Sequence, residues 1–309
     1  MEKQERQVAD GEMEPNESIE ASHFDDLETF ADEDIMQQQY DIQAEEAVKA
    51  PFVGDKEPLS SLAAEYQSGS PILLEKIKVL GEQYAAIRRA RGDGNCFFRS
   101  FMFSYLEHIL DSQDKAEVAR IKENVELCRK TLQSLGYADF TFEDFFLGKP
   151  IICLFLEQLD SVLQGSETSI SPDELILRCR DQSVSDYVVM FFRFVTSGEI
   201  RKRSEFFEPF ILGLANSTVE QFCKSSVEPM GEESDHVHIT ALSDALGVPV
   251  RVVYLDRSSC DAGGMSVNHH DFIPATGDLP NASSGNSETI KPFITLLYRP
   301  GHYDILYPK

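Results

Sequence analysis

Residues 92–100 read Gly92-Asp93-Gly94-Asn95-Cys96-Phe97-Phe98-Arg99-Ser100 and lead from a glycine-rich loop into an amphipathic segment that ends near Leu110. The first turn of a helix has backbone N–H groups without partners and carries the positive end of the helix dipole. Both features favour a thiolate over a thiol, and the thiolate is the nucleophilic form of cysteine. Glycine permits tight turns and a close backbone approach. The stretch therefore predicts an activated Cys96 beside an anion-binding loop, with Asn95 as the N-cap.

A second motif, near the C-terminus, supplies the base that a cysteine nucleophile needs. The segment from Arg299 to Tyr307 follows an apolar, β-prone run and contains a Pro-Gly turn, which predicts a hairpin. Side chains two residues apart on a strand point to the same face. We therefore expect His302 and Asp304 to lie side by side, so that the carboxylate fixes the imidazole tautomer and stabilises its positive charge, as in a Cys-His-Asp triad.

Together the two motifs resemble those of the ovarian-tumour-domain (OTU) cysteine proteases, in particular their otubain branch and the plant otubain-like ubiquitin hydrolases. Further segments that carry the resemblance are Tyr84 to Arg89, Asp181 to Tyr187, Val227 to Met230 and Glu233 to His236. They are spread over most of the chain, which makes the match specific. The resemblance implies an α+β, papain-like OTU domain with helices around a small, mostly antiparallel sheet.

The resemblance also implies roles for the residues of the motifs. Cys96 would be the nucleophile, His302 the general base and then the general acid, and Asp304 the residue that orients His302. Asp93 occupies the position of an aspartate that shapes the oxyanion loop in the family. The neighbouring residues that would contact the substrate are Gly92, Gly94 and Asn95.

The activity implied by this resemblance is hydrolysis of the isopeptide bond that joins ubiquitin to a lysine amine, without a cofactor. Otubains as a group prefer lysine-48-linked chains, so the same preference is implied here. The partners would be ubiquitin and polyubiquitin chains. Two alternatives stay open: a non-catalytic regulator that binds ubiquitin and ubiquitin-conjugating enzymes, and a hydrolase of another ubiquitin-like modifier.

Acidic residues are unevenly distributed along the chain. The formal net charge is −25 over 309 residues, and residues 1–50 alone hold 16 acidic and 3 basic side chains. This charge argues against nucleic acid as a partner and suits a basic protein surface such as that of ubiquitin. We predict a disordered acidic leader over residues 1–33 and a catalytic domain over residues 34–309.

Residues 34–50 show a short helical pattern that includes Ile35 and Ile42. The resemblance implies that this arm, through these two residues, helps to bind the proximal ubiquitin. The alternative is an arm that only packs on the domain.

Several further patterns limit the class of protein. The six cysteines have no paired spacing, which predicts free thiols in a reducing compartment, the cytoplasm, with the nucleus left open. No apolar run is long enough for a signal peptide or a membrane span. His236 and His238 suggest a metal site, but no other His or Cys cluster completes a tetrahedral set, so we predict none.

Helical patterns, one of them from Pro71 to Ile87, dominate the first four-fifths of the chain, and strand patterns follow in Val248 to Asp256 and in the terminal hairpin. Residues 271–291 are predicted to form a loop, and His269 and His270 are placed in polar loop sequence.

Within a helical pattern from Phe140 to Leu163, the segment 147–153 is an insert relative to the family and contains Gly148 and Pro150. Proline inside a helix costs ~3 kcal/mol, so deletion of residues 147–152 is expected to raise the melting temperature.

Five phenylalanines at helical spacing are predicted to lie in the core. The alternative is that the segments Phe191 to Thr196 and Glu205 to Phe210 form a surface that receives the distal ubiquitin. They are Phe191, Phe192, Phe206, Phe207 and Phe210.

Overall fold

The C-terminal motif lies in the middle of a sheet to which the described part of the chain contributes six strands. In spatial order its strands are β1 (Val53–Pro58), β2 (Tyr84–Ala90), β8 (His302–Pro308), β7 (Ile294–Arg299), β5 (Val250–Tyr254) and β6 (His269–Phe272). The pair β5–β7 is parallel and the other four neighbouring pairs are antiparallel. The prediction of a mostly antiparallel sheet is therefore confirmed, and β8 is hydrogen-bonded along both of its edges.

This computed structural model describes residues 49–67, 69–137, 143–144, 149–163, 165, 169–257, 266–275 and 291–309. Its helices are α1 (Ser60–Glu65), α2 (Pro71–Gln83), α3 (Cys96–Ser112), α4 (Lys115–Ser134), α5 (Ile151–Ser161), α6 (Pro172–Arg180), α7 (Gln182–Lys202), α8 (Ser204–Ala215), α9 (Val219–Phe222) and α10 (His236–Leu246). A π-helical turn, Cys223–Val227, follows α9. The predicted acidic leader, nearly all of the arm with Ile35 and Ile42, and Cys260 lie outside the described residues.

Helix α3 forms the centre of the core. Every residue from Cys96 to Leu106 is buried, as is typical of a helix that is enclosed on all sides. The helix packs against β8 and β7 on one side and against α6 and α7 on the other. The rings of Phe97 and Tyr303 lie edge to face with centroids 5.6 Å apart, so the first turn of α3 is packed directly on β8.

Three strands of the sheet differ from the prediction. We predicted a helix from Pro71 to Ile87, but it ends at Gln83, and β2 begins at Tyr84. The strand β1 was not predicted at all. Because β2 pairs with β1 on one edge and with β8 on the other, these long-range contacts override the local helical pattern. Similarly, His269 and His270 belong to β6 rather than to a loop, because β6 pairs with β5.

The predicted helix over Phe140 to Leu163 is wrong in its first part and right for Ile151–Ser161. Two short strands, β3 (Glu143–Asp144) and β4 (Lys149–Pro150), pair antiparallel, and α5 begins immediately after Pro150. Proline at the end of a short edge strand blocks no helical hydrogen bond, so the expected strain is not present. Ile152, in the first turn of α5, is buried in the main core.

Three of the five predicted core phenylalanines are buried: Phe191, Phe192 and Phe207. The other two, on α8, are not, because Phe206 is 46% exposed and Phe210 is 54% exposed. Helix α8 therefore has one buried side and one exposed apolar side.

Candidate active site

Cys96 is the first residue of α3, and its side chain is almost fully buried. Asn95 occupies the N-cap position as predicted, but its side chain makes no capping hydrogen bond. The N–H groups in the first turn of α3 have no acceptors within the helix, and the dipole favours negative charge there. The nucleophile candidate thus lies at the positive end of a buried helix.

His302 and Asp304 lie side by side on β8, as their spacing predicted. Nε2 of His302 is 2.8 Å from Oδ1 of Asp304. The Nδ1 side of the ring faces the loop that precedes Cys96, and the charge of Cys96 acts on the imidazole. A β-carbon on Gly92 would lie 3.6 Å from Nδ1 of the ring. The imidazole thus lies between the carboxylate of Asp304 and the loop that ends at Cys96.

Asp304 is completely buried and has three donors. Besides His302, the backbone N–H of Ala90 donates to Oδ1 at 3.1 Å, and Nη2 of Arg299 donates to Oδ2 at 2.5 Å. A buried carboxylate is tolerated only when its oxygens are paired in this way. Burial raises the pKa of Asp304, but the bond from His302 and the charge of Arg299 hold that pKa below its usual range.

The pKa of His302 is shifted in the opposite direction. Burial lowers it, but hydrogen bonds to Asp304 and Cys96 and the negative charges of both groups outweigh burial and raise the pKa to about 9. The imidazole is therefore protonated at neutral pH. Such a ring can donate a proton to a leaving amine.

Asp93 holds the loop before Cys96 in shape. Its Oδ1 accepts from the backbone N–H of Asn95 at 3.1 Å, and its Oδ2 forms an ion pair with Arg99. Arg99 is buried and also donates to Oδ1 of Asp186 at 2.7 Å and to Oγ of Ser185 at 3.1 Å. Of the backbone N–H groups from Asp93 to Cys96, that of Asn95 is therefore already used within the loop.

Gly94 makes the closest approach in the site. It has a φ of +73°, and a β-carbon there would lie 1.6 Å from the carbonyl oxygen of Gly231. Only glycine fits, because any side chain would need both a strained backbone and a shift of the facing segment. Residues 228–235 thus form one wall of the site, which we call the facing loop.

The two histidines considered as metal ligands have other partners. His238 binds Asp235 through Nδ1 and the carbonyl of Ser226 through Nε2, and it caps α10. His236 stacks on Tyr254. Among the described residues, no three His, Cys, Asp or Glu side chains are grouped so that they could hold a metal ion. None of the described helices is both long and apolar enough to cross a membrane.

Sequence reasoning missed three arginines that organise the site: Arg99, Arg193 and Arg299. Arg99 and Arg299 fall inside the two catalytic motifs, but nothing local indicates that they pair with Asp93 and Asp304. Arg193 lies in an otherwise apolar stretch of α7, where a lone charged residue could have been recognised as one that needs buried partners.

The chain is similar to known proteins over most of its length. Residues 45–308 match the family described as Peptidase C65 Otubain. The chain belongs to the otubain family. This otubain is therefore an enzyme of a deubiquitinase family, and the predicted OTU fold is confirmed.

Individual relatives align over most of their length. The otubain is 74% identical to the OVARIAN TUMOR DOMAIN-containing deubiquitinating enzyme 1 of Arabidopsis thaliana, over 89% of this chain and 86% of that protein. It is 42% identical to human ubiquitin thioesterase OTUB1, over 89% of this chain and 90% of that protein. A chain of the solved h/ceOTUB1–ubiquitin aldehyde–UBC13~Ub complex has a TM-score of 0.72 at 36% identity, covering 90% of this chain and 98% of that chain.

Proposed function

We propose that this otubain hydrolyses isopeptide bonds in ubiquitin chains with Cys96, His302 and Asp304 as its catalytic triad. The single observation that carries the proposal is the position of His302, whose Nε2 lies 2.8 Å from Asp304 while its Nδ1 faces the loop that ends at Cys96. A nucleophile, a base and a group that orients the base are the constellation typical of covalent acyl transfer.

The raised pKa of His302 suggests how the reaction proceeds. Cys96, as a thiolate, attacks the carbonyl carbon of the C-terminal glycine of ubiquitin, and the negative charge moves to the carbonyl oxygen. Collapse of this intermediate breaks the C–N bond, and the protonated His302 gives its proton to the lysine amine as it leaves. His302 then takes a proton from water, whose oxygen attacks the thioester, and Cys96 leaves as ubiquitin is released.

Cleavage assays with the purified full chain test this proposal. We expect cleavage of ubiquitin dimers to be lost in Cys96→Ala while binding of the dimers is kept. Cys179→Ala is a matched control, because Cys179 is equally buried and free but lies on α6 and belongs to the core. Turnover in Cys96→Ala comparable to that of the unmodified chain would refute the mechanism.

Linkage preference forms a second part of the proposal. We propose lysine-48 linkage, on the resemblance to otubains, with the exposed apolar side of α8 as a surface for the distal ubiquitin. Phe206, Phe210 and Leu214 are spaced four residues apart on that side and are all exposed. The stretch Phe191 to Thr196 does not add to this surface, because most of it is buried. A panel of eight ubiquitin dimers and of ubiquitin-like modifiers would separate lysine-48 specificity from the alternative modifiers.

A regulatory role that needs no catalysis is a second candidate. Its support is the similarity to OTUB1 chains solved with the ubiquitin conjugates UBC13~Ub and UBCH5B~Ub. In this case, inhibition of a ubiquitin-conjugating enzyme would survive Cys96→Ala and would be lost when residues 34–50 are removed. The reverse pattern would exclude the regulatory role.

A further inference from the structure

Arg193 is a fully buried cation in the middle of α7 and lies against the loop that precedes Cys96. Its guanidinium donates from Nε and Nη2 to Oδ1 of Asn95, at 3.1 and 2.8 Å. Nη2 also donates to the carbonyl of Gly94 at 3.1 Å. The carbonyls of Val227 and Glu232 accept at 3.0 and 2.7 Å. One side chain therefore joins residues 92–95, which we call the Cys96 loop, to the chain segment on the opposite wall of the site.

The carboxamide of Asn95 completes this connection. Its Oδ1 accepts the backbone N–H of Gly231 at 3.0 Å in addition to the two bonds from Arg193. Its Nδ2 is 3.3 Å from the carbonyl of Asp93. Asn95 occupies the N-cap position without capping α3 because its side-chain oxygen is directed towards Arg193 and the facing loop.

One peptide plane is held at both of its ends. The carbonyl of Gly94 and the N–H of Asn95 belong to the same rigid peptide unit. The carbonyl accepts from Arg193, and the N–H donates to the carboxylate of Asp93. A fixed plane here restricts the two neighbouring peptide units, which carry the N–H groups of Gly94 and Cys96. These two N–H groups belong to the residues on either side of Asn95.

The guanidinium keeps its charge under working conditions. Burial lowers the pKa of Arg193 to about 10, while the nearby charges of Glu232, Asp93 and Cys96 act in the opposite direction. Arginine suits this position because its planar fork can serve several acceptors at once, which an ammonium group cannot do with the same geometry.

We propose that Arg193 is a positioning residue for transition-state stabilisation: by holding Gly94 and Asn95 it aims the N–H groups of Gly94 and Cys96 at the oxyanion. The inference rests on the proposed function, since it takes Cys96 as the nucleophile. Arg193 itself does not touch the substrate. Loss of one oxyanion donor typically costs ~10²–10³ in rate, and this sets the size of the expected effect.

The test compares Arg193→Met and Arg193→Lys with Arg88→Met. Arg88 is a matched control, because it is also buried and donates to several groups (Tyr307, Gly54 and Glu107) that lie outside the Cys96 loop. Three quantities are measured for each folded protein: kcat/KM on a ubiquitin dimer, affinity for ubiquitin aldehyde, and affinity for unmodified ubiquitin. The aldehyde forms a hemithioacetal whose oxygen occupies the oxyanion position, so it reports on the donors directly.

We expect Arg193→Met to lower kcat/KM and aldehyde affinity together, by ~10²-fold, while ubiquitin affinity changes by less than about twofold. The values for Arg193→Lys should fall between those of the unmodified chain and those of Arg193→Met. Arg88→Met should keep all three values once they are normalised to folded protein. In an Asn95→Ala background, Arg193→Met should cause a smaller loss of kcat/KM and of aldehyde affinity, because the two residues act through the same contact.

Two results would overturn the inference. One is unchanged aldehyde affinity in Arg193→Lys and in Asn95→Ala, variants that remain informative even where Arg193→Met does not fold. The other is an equal loss of ubiquitin and aldehyde affinity. Cleavage that survives Cys96→Ala would overturn the proposed function and this inference with it, whereas cleavage that needs Cys96 but not Arg193 overturns the inference alone.

Discussion

Nη2 of Arg299 lies 2.5 Å from Oδ2 of Asp304, and this contact completes the set of donors around a carboxylate that has no exposed surface. The same carboxylate accepts from His302 through its other oxygen. Arg299 and His302 are only three residues apart, separated by the turn between β7 and β8. The hairpin thus brings both a cation and the imidazole of His302 to one buried acid.

The pH dependence of cleavage should follow His302. Because its pKa is raised to about 9, the protonated imidazole that the leaving amine needs is present at neutral pH and is lost as the pH rises through about 9. In Asp304→Asn the negative charge and its hydrogen bond are removed and burial remains, so the alkaline limb of kcat/KM should move to lower pH. Asp173→Asn, on the exposed first turn of α6, is the control that should not move it.

Folding stability should change with pH for the same reason. His302 has a folded pKa above its unfolded value of 6.5, so its interactions stabilise the protein fully below about 6.5, and this contribution is lost as the pH rises through about 9. The difference in unfolding free energy between the unmodified chain and His302→Ala should therefore shrink from pH 6 to pH 10. A constant difference over that range would contradict the pairing of His302 with Asp304.

Arg299→Met separates the role of the cation from that of the acid. Asp304 then keeps its charge and its bond to His302 but loses one donor, and a buried acceptor that lacks a partner costs about 1–3 kcal/mol. We expect a lower melting temperature and an alkaline limb that does not move to lower pH. A downward shift like that of Asp304→Asn would mean that Arg299 governs the orientation of Asp304 rather than only its burial.

Gly94→Ala should damage the site more than its backbone strain alone explains. Gly136 has a similar φ of +86°, but a β-carbon there would have no neighbouring atom within 4 Å, so Gly136→Ala measures the strain alone. That strain is about 1–2 kcal/mol. Gly94→Ala must in addition displace Gly231. We expect ~10²-fold lower kcat/KM for Gly94→Ala in folded protein, as misplacement of a catalytic loop by about 1 Å can cause, and no loss for Gly136→Ala.

The two sides of α8 should respond differently to truncation. Phe207 is buried, so Phe207→Ala should lower the unfolding free energy by about 3–5 kcal/mol. Phe210 is 54% exposed, so Phe210→Ala should change it by less than about 0.5 kcal/mol while weakening ubiquitin binding. Denaturant unfolding and ubiquitin titration check both values, and unchanged binding in Phe210→Ala would exclude this side of α8 as the distal surface.

Deletion of residues 147–152 should lower the melting temperature, the opposite of what the sequence alone led us to expect. Pro150 precedes α5 instead of interrupting a helix, and the deletion removes Ile152 from the core. Ile152→Ala is the partial control, with an expected cost of about 2–5 kcal/mol. A higher melting temperature for the deletion would restore the original interpretation of the insert as a destabilising element.

Local sequence was sufficient wherever the determining contacts are close in the chain. The start of α3 at Cys96 follows from a glycine-rich loop that runs into an apolar helical pattern, and the shared face of His302 and Asp304 follows from the two-residue period of a strand. Both are properties of a few consecutive residues. By contrast, residues Tyr84 to Ile87 of β2 were predicted as helix, because the strand character of β2 comes from its two neighbours in the sheet and not from its own residues.

The reactive groups can be identified from local patterns: a cysteine at a helix N-terminus, and a histidine with an aspartate on one strand face. How these groups meet, and what holds them in place, depends on long-range packing. Helix α3 packs on β8, which brings Cys96 to His302 from the other end of the chain. Arg193, Arg99 and Arg299 then pair with Asn95, Asp93 and Asp304. Burial determines these partners, because a charge removed from water must be paired with acceptors that the fold provides. Short-range sequence patterns do not predict which acceptors those will be.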